Sequence, residues 1–169
     1  MMNEQMPALA GTAKEYKRID HLAIAVTSLE KALRLYTDVL GFTFVERRTT
    51  KGTTTGMESA VLQGNGYTLV LLQGTDPQSQ VSLYIDQFGP GVQHVAFEVD
   101  SLEKVAAELE QKGIQFSTRI INGGNLKQIF TRRDEESGMM FEFIERHGEG
   151  FEEGNIDSLF RQLEETQQI

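Results

Sequence analysis

The chain has 169 residues, a net charge of −9 at neutral pH and no cysteine, which excludes disulfide bonds and thiolate chemistry. Its acidic balance argues against a nucleic-acid partner, because phosphate binding requires clustered lysine and arginine side chains. No apolar run approaches the roughly 20 residues that span a bilayer, and the polar start lacks the apolar segment of a signal peptide. We therefore expect a cytoplasmic protein without membrane contact.

The first half of the chain reads as a β-α-β-β-β unit. A polar tail over 1–17, expected to be flexible, precedes an alternating β-rich run over 19–26. Thr27 and Glu30 form a capping-box pattern, and apolar residues then follow at helical spacing until Gly41. A glycine turn at 64–66 and a polar loop at 49–56 separate three further predicted strands, over 42–47, 57–62 and 67–73.

The second half repeats this order after a short predicted helix over 81–88. A strand over 92–99 leads to a helix with Asp100 and Glu103 as capping residues, and a turn at 122–125 interrupts strands over 114–120, 126–131 and 139–145. This order predicts an α+β fold of two βαβββ modules, about 18–74 and 91–146, that pack as one body. We expect a single domain over 18–169 that ends in a helix over about 155–166.

The two predicted units begin with closely similar sequences. Residues 21–31 read His-Leu-Ala-Ile-Ala-Val-Thr-Ser-Leu-Glu-Lys, and residues 94–104 read His-Val-Ala-Phe-Glu-Val-Asp-Ser-Leu-Glu-Lys. Strand alternation places each histidine on the same face as small alanine side chains, which leaves room beside the imidazole. Equivalent histidines in a repeat therefore indicate one shared metal site.

Glu142 is the candidate third ligand, because it stands within the apolar run of the last predicted strand. A carboxylate buried there requires a cation or a hydrogen-bond donor. Two histidines and one carboxylate form the facial triad that suits non-haem Fe(II). The equivalent offset in the first unit falls on Leu69 or Val70, so we expect no fourth protein ligand. Open coordination positions favour oxygen activation over metal-assisted acid–base chemistry.

Six segments together form a recognisable pattern: Arg-Ile-Asp-His-Leu at 18–22, Glu-Ser-Ala-Val-Leu at 58–62, Gly-Pro-Gly-Val-Gln-His at 89–94, Gln-Ile-Phe-Thr at 128–131, Phe-Glu-Phe-Ile-Glu-Arg at 141–146 and Gly-Phe-Glu-Glu-Gly-Asn-Ile-Asp-Ser-Leu-Phe at 150–160. They resemble the vicinal oxygen chelate superfamily of glyoxalases and bleomycin-resistance proteins. Within it, the resemblance is closest to the catalytic C-terminal half of 4-hydroxyphenylpyruvate dioxygenase. The resemblance implies that the two modules form one open, barrel-like sheet around a metal site, with the C-terminal helix as a lid.

The resemblance implies that His21, His94 and Glu142 bind Fe(II). It also implies a pocket of eight further residues, with Ile156 at a position where the family usually has a phenylalanine: Ser59, Gln73, Gln80, Gln93, Gln128, Phe130, Phe151 and Ile156. The implied reaction uses dioxygen to decarboxylate a 2-oxo acid oxidatively and to hydroxylate the same substrate. A homodimer is expected, because family members cover the exposed edges of the sheet by pairing.

Two other functions stay open at this point. One is an isomerase, epimerase or lyase of the same superfamily that uses Co(II), Mn(II) or Zn(II) as a Lewis acid. Apolar Leu69 and Val70 argue against this function, because neither can supply another ligand. The other is a non-enzymatic small-molecule binding or resistance protein. The metal triad argues against that function, because such a protein needs no metal ligands.

Overall fold

The structure of the protein is a computed structural model that describes residues 15–166. Most of the predicted tail, 1–17, lies outside the described residues, but its last two residues already belong to the first strand. The elements, in chain order, are β1 Tyr16–Ala25, α1 Leu29–Arg34, a π-helical segment Leu35–Val39, β2 Thr43–Lys51, β3 Gly56–Gln63, β4 Thr68–Gly74, α2 Gln80–Phe88, β5 Gly91–Val99, α3 Leu102–Gln111, β6 Ile121–Asn122, β7 Leu126–Phe130, β8 Met140–Arg146 and α4 Glu153–Thr166.

The eight strands form one curled, open sheet in the order β2-β3-β4-β1-β5-β8-β7-β6. The first strands of the two halves, β1 and β5, pair antiparallel at its centre. Each of them has a parallel neighbour from its own half, β4 beside β1 and β8 beside β5. The arrangement confirms the predicted α+β fold, in which two βαβββ modules share one sheet and a C-terminal helix follows.

The strand register brings the three candidate ligands to one face of the sheet. His21 on β1 pairs with Ala96 on β5, and Ala96 pairs in turn with Glu142 on β8. His94 pairs with Ala23, on the other side of the same central strand pair. Cross-strand partners point to the same face, so the backbone alone gathers side chains that are far apart in the chain. The two alanines leave space between them.

The same register identifies the counterpart of Glu142 in the first module. Ala23 and Ala96 are equivalent, since each follows its histidine by two residues. Ala96 pairs with Glu142, whereas Ala23 pairs with Val70 on β4. Of the two alternatives from the sequence, Val70 is therefore the residue at the equivalent position.

Helices cover both faces of the sheet. On the convex face, α1 packs through Leu29 against β3 and β4, and α3 packs through Leu102 and Val105 against β7 and β8. On the concave face, Phe160 and Leu163 of α4 belong to the apolar clusters around the candidate ligands. Within residues 15–166, no helix has the length and apolar character needed to cross a membrane.

Both predicted capping positions were wrong by one residue. The N-cap of α1 is Ser28, whose side chain accepts a hydrogen bond from the backbone N of Lys31, and the N-cap of α3 is Ser101. In both modules a serine follows the residue that we had assigned as the cap. The backbone N of Leu102 instead donates to Glu145 on β8, so part of the capping comes from a distant strand.

Two edges of the sheet also differ from prediction. Strand β2 continues to Lys51, so the predicted polar loop over 49–56 is reduced to a short turn before β3. The predicted strand over 114–120 is absent from the described structure, which has only an isolated bridge from Phe116 to Thr131. Two backbone hydrogen bonds accompany this bridge, from Ser117 N to the carbonyl of Phe130 and from Arg132 N to the carbonyl of Gln115. Side chains add to them: Thr118 accepts from the backbone N of Phe130, and Gln162 of α4 accepts from the backbone N of Arg119.

Candidate metal centre

His21, His94 and Glu142 converge beneath α4. Each offers one ligand atom, and these atoms all lie within 4.8 Å of one another. The Nε2 atoms of His21 and His94 lie 3.0 and 3.5 Å from Oε2 of Glu142. The three residues are only 3%, 7% and 1% exposed. The geometry is therefore that of a buried cluster in which two imidazoles and one carboxylate could hold a metal ion.

Each histidine is oriented by the residue that precedes it. Nδ1 of His21 lies 2.8 Å from Oδ1 of Asp20, and Nδ1 of His94 lies 3.1 Å from Oε1 of Gln93. Both acceptors assign the proton to Nδ1, which leaves Nε2 of each ring free for a metal. Partners of this kind fix the tautomer and ring orientation in metal sites.

Arg146 holds Asp20 in place and also reaches the loop before α4. Its Nε and Nη2 atoms donate to the two carboxylate oxygens of Asp20 at 2.6 and 2.9 Å. Its Nη1 donates to the carbonyl of Gly150 at 2.8 Å, and its guanidinium lies over the ring of Phe151 at 5.1 Å. A single side chain therefore joins the support of one ligand to the loop that carries Phe151.

The charges around the two histidines drive their pKa values apart. Burial lowers the pKa of His21, but the carboxylates of Glu142 and Asp20 outweigh it and raise that pKa to about 9. Burial, the neighbouring charge of His21 and the charge of Arg133 hold the pKa of His94 well below its ordinary value. Without a metal, His21 is therefore cationic and pairs with Glu142, while His94 is neutral.

An unpaired oxygen shows that a cation fits the cluster. Oε1 of Glu142 is buried, and no described residue forms a hydrogen bond with it. A buried carboxylate oxygen without a partner is costly. A divalent ion between the two Nε2 atoms and this carboxylate would satisfy it and would replace the proton on His21. The donor set of two imidazoles and one carboxylate suits Fe(II) and related divalent metals.

A largely apolar cavity opens beside the cluster. Seven of the eight predicted pocket residues line it: Ser59, Gln80, Gln93, Gln128, Phe130, Phe151 and Ile156. The rings of Phe151 and Phe130 stand edge-on to His21 and His94, each with a centroid distance of 5.1 Å. Side chains of α4, including Leu159, Phe160 and Leu163, close the cavity from above. The space next to the candidate ligands is therefore bounded mainly by apolar side chains.

The structure does not bring Gln73 to the cavity. Its side-chain oxygen accepts a hydrogen bond of 2.6 Å from the backbone N of Leu29, at the start of α1. On β4, Val70 and Leu72 line the cavity, whereas Leu69 and Leu71 pack towards α1. Strand alternation places Gln73 with the second pair, so its role is to cap a helix.

Four polar residues near the cluster were missed as functional candidates. Asp20 and Arg146 belong to segments that carried the resemblance, but a supporting role follows only from their contacts. Glu46 and Arg48 line the cavity from β2, and Arg48 is the cross-strand partner of Ser59. The predicted strand ended at residue 47, so Arg48 lay outside it, whereas β2 continues to Lys51 and pairs Arg48 with Ser59.

A model of the Glyoxalase/Bleomycin resistance protein/Dioxygenase superfamily matches residues 18–143 of the chain. The chain belongs to this superfamily. An uncharacterized Bacillus subtilis protein, YqjC, is 30% identical over 134 residues, which cover 78% of this chain and 94% of that protein. The match to a superfamily that includes dioxygenases agrees with the resemblance found in the sequence.

Two bacterial 4-hydroxyphenylpyruvate dioxygenases are among the relatives of the chain. A 4-hydroxyphenylpyruvate dioxygenase from Pseudomonas sp. (strain P.J. 874) is 29% identical over 192 residues, which cover 89% of this chain and 54% of that enzyme. The corresponding Legionella pneumophila (strain Corby) enzyme is 26% identical and is also covered to 54%. The chain thus spans about half the length of these dioxygenases.

Solved structures share the fold. A mutant 4-hydroxymandelate synthase from Streptomyces coelicolor superposes with a TM-score of 0.84 at 22% identity, covering 96% of this chain and 58% of the enzyme. Methylmalonyl-CoA epimerase from Mycobacterium tuberculosis superposes with a TM-score of 0.67 at 25% identity, covering 82% of this chain and 92% of the enzyme. The fold therefore accommodates more than one reaction class.

Proposed function

We propose that the protein is an Fe(II)-dependent dioxygenase that decarboxylates a 2-oxo acid oxidatively and hydroxylates the same substrate. The observation that carries this proposal is the asymmetry of the cluster. Three ligand atoms lie within 4.8 Å of one another, whereas apolar Val70 stands where the repeat would place a second carboxylate. A three-ligand site leaves positions for both a chelating substrate and dioxygen.

His21, His94 and Glu142 would hold the ion, which we propose to be Fe(II), with Co(II), Mn(II) or Zn(II) as alternatives. When bound, the ion supplies a Lewis-acidic centre at which the 2-oxo acid group and dioxygen can meet. Asp20 and Gln93 keep both Nε2 atoms directed at that centre. Phe130, Phe151 and α4 keep bulk water away from it, as chemistry with reactive oxygen requires.

The side-chain amides orient the rest of the substrate. Gln80, Gln93 and Gln128 are buried in the cavity wall. Oε1 of Gln80 and Nε2 of Gln93 have no hydrogen-bond partner among the described residues. Buried amides are normally paired, so a polar substrate would supply the missing acceptor and donor. Similarity to the 4-hydroxyphenylpyruvate dioxygenases supports a 2-oxo acid as the substrate.

An oxygen electrode tests the proposal directly. Protein reconstituted with Fe(II) should consume oxygen with 4-hydroxyphenylpyruvate or another 2-oxo acid and release one carbon dioxide per oxygen. His94→Ala should abolish uptake. His147→Ala is the matched control, because His147 is the third histidine and its side chain is 48% exposed. Oxygen uptake that persists in His94→Ala would contradict the proposal.

The second candidate is a superfamily isomerase or epimerase, supported by the structural likeness to methylmalonyl-CoA epimerase. Such an enzyme would use the metal as a Lewis acid without consuming oxygen. Turnover supported by Co(II) under anaerobic conditions would favour this candidate over the dioxygenase. Val70 weighs against it, because an apolar side chain occupies the position from which a further carboxylate could act.

We also propose a homodimer. Strand β2 is an edge of the sheet, and large apolar side chains near it are exposed, with Val39 at 73%. The others are Leu35, Leu40, Phe44, Val45 and Tyr67. Sedimentation analysis should give twice the chain mass, and Phe44→Lys should give the monomer. The cytoplasmic location and the domain limits 18–169 stay predictions.

A further inference from the structure

We propose that Arg48 forms an anion-binding subsite at the mouth of the cavity, and that the natural substrate carries a second carboxylate at its end remote from the metal. That the other end of the substrate, its 2-oxo acid group, binds the metal rests on the proposed function. The anion subsite itself is argued from the contacts of Arg48.

Arg48 lies between the inner cavity and the surface. It lines the cavity of the metal cluster and also a neighbouring cleft formed with Thr49, Thr50, Glu153 and Ile156. Its Nη2 donates to the carbonyl of Phe151, and the ring of Phe151 stands edge-on to His21 at 5.1 Å. One residue therefore separates the guanidinium from the metal cluster. A molecule bound to the cluster can extend past Phe151 and reach Arg48.

One end of this guanidinium has no partner among residues 15–166. Nη1 is buried and has no hydrogen-bond acceptor among the described residues, although the side chain as a whole is 24% exposed. Arginine stays charged at every physiological pH. A buried N–H group without an acceptor is costly, and a charged one more so. A carboxylate in the cavity would accept from Nη1 in a charge-assisted bond.

Glu46 restrains Arg48 without satisfying it. Oε2 of Glu46 accepts from Nη2 at 3.0 Å, so this contact leaves Nη1 free. The nearby negative charge reduces the affinity of the subsite for anions, and it also fixes the direction of the guanidinium. Removal of the Glu46 charge should therefore strengthen the binding of a ligand carboxylate at Arg48.

The neighbouring Arg47 differs from Arg48, because both of its terminal nitrogens are paired within the protein. It points to the opposite face of β2, where its two terminal nitrogens pair with Glu30 and Glu58 at the surface. Arg47 does not line the cavity, whereas Arg48 is the one lysine or arginine among the described residues that do. Glu46 is the other charged group beside Arg48, and it is negative, whereas polar groups such as Ser59 and Gln80 are neutral. A dianionic substrate therefore has one place for its second charge.

The test compares ligands that differ only in the remote group. Calorimetry on protein loaded with redox-inert Zn(II) would measure the binding of 4-carboxyphenylpyruvate against 4-hydroxyphenylpyruvate, and of 2-oxoadipate against 2-oxohexanoate. We expect the diacid of at least one pair to bind about tenfold more tightly or better, as one charge-assisted hydrogen bond provides. Arg48→Gln should remove this preference, and Arg47→Gln should retain it.

Two further variants separate ligand binding from folding. Glu46→Gln should increase the affinity for the diacid more than that for the monoacid, because only the diacid carries the charge that Glu46 repels. Arg48→Lys should retain part of the preference for the diacid, because the positive charge stays but the planar guanidinium, which can donate two parallel hydrogen bonds, is lost. Circular dichroism checks that each variant folds. A purely structural role for Arg48 would lower the affinity for both members of a pair equally.

The outcomes distinguish this inference from the proposed function. A diacid preference that depends on Arg48, in protein that consumes no oxygen with any 2-oxo acid, would support the subsite and contradict the dioxygenase. Oxygen uptake with monoacids, together with no diacid preference in either pair, would support the dioxygenase and overturn the subsite. A diacid preference that survives in Arg48→Gln would also overturn it.

Discussion

The two modules present the same backbone to the metal cluster but different side chains. Each contributes a histidine from its first strand, but the position of Glu142 in the second module is occupied by Val70 in the first. Asp20 supports one histidine and Gln93 the other. Strand β2 has nine residues, whereas its counterpart β6 has two. The repeat therefore supplies the framework, and the positions at which the halves differ determine ligand number, charge and access.

The largest expected effect comes from removing the carboxylate that distinguishes the second module. Glu142→Gln should weaken binding of Fe(II) or Mn(II) by more than about 100-fold, beyond the usual effect of residues that only support ligands. Glu145→Gln is the matched control, because it makes the same change three residues along β8. Equal metal affinity in the two variants, measured by calorimetry, would refute the assignment of Glu142 as a ligand.

The difference between the two histidines predicts a pH dependence. Because the pKa of His21 is raised from 6.5 to about 9, a metal must displace one proton at neutral pH. Apparent affinity for Mn(II) should rise about tenfold per pH unit between about pH 6.5 and 8.5. Calorimetry at pH 7 in buffers of different ionisation enthalpy should show the release of about one proton.

The same shift affects the stability of the metal-free protein. Protonation of His21 stabilises the fold fully below about pH 6.5, and this contribution is lost as the pH rises through about 9. Thermal unfolding of metal-free protein should therefore show a falling midpoint over this range. Metal binding without proton release in calorimetry, together with a flat midpoint, would contradict the cationic state of His21.

Substitution of the supporting residues should sharpen the comparison between the modules. Asp20→Asn should lower metal affinity by about 10- to 100-fold, because it replaces a carboxylate that bonds to His21 at 2.8 Å. Gln93→Leu should have a smaller effect, since the amide contact with His94 is neutral and longer, at 3.1 Å. Equal losses in the two variants would show that the charge of Asp20 contributes nothing.

Val70→Glu would make the modules alike at the ligand position. A second carboxylate, as the fourth protein ligand, should tighten metal binding and lower oxygen uptake by about tenfold or more, because it occupies a position that the substrate needs. Val70→Leu keeps the wall apolar and serves as the control. Unchanged oxygen uptake in Val70→Glu, in protein that still binds metal, would contradict the link between ligand number and reaction.

The smallest effect is expected at Gln73. Its side chain accepts a hydrogen bond from the start of α1, so Gln73→Ala should cost about 1 kcal/mol of unfolding free energy, as for the loss of a helix cap. KM for the substrate should stay unchanged. Chemical denaturation and steady-state kinetics would measure the two quantities. A raised KM with unchanged stability would indicate that Gln73 contacts the substrate and does not cap the helix.

The sequence predicted what depends on local periodicity. The repeat and the alternation along β1, β5 and β8 were enough to bring His21, His94 and Glu142 to one face. The resemblance assigned Gln73 to the pocket, whereas the structure turns its side chain to the start of α1. A one-residue shift reverses the face of a strand, so this position depends on the strand pairing.

Features that depend on register or on distant contacts could not be predicted. Glu46, Arg47 and Arg48 read as one charged run, and only the pairing of β2 with β3 separates the cavity side from the surface side. The segment over 114–120 has strand-like residues, but it forms only an isolated bridge, supported by hydrogen bonds to the side chains of Thr118 and Gln162. Such contacts join residues that no spacing rule connects.

Arg146 has a consequence for how this protein can change over evolutionary time. The same guanidinium donates to Asp20 and to the carbonyl of Gly150. The orientation of His21 and the shape of the cavity entrance therefore depend on one side chain. Mutations that reshape the entrance near Phe151 would disturb the imidazole of His21 as well. We therefore expect new specificities in this lineage to arise more readily from β2, whose side chains touch the entrance without holding a ligand.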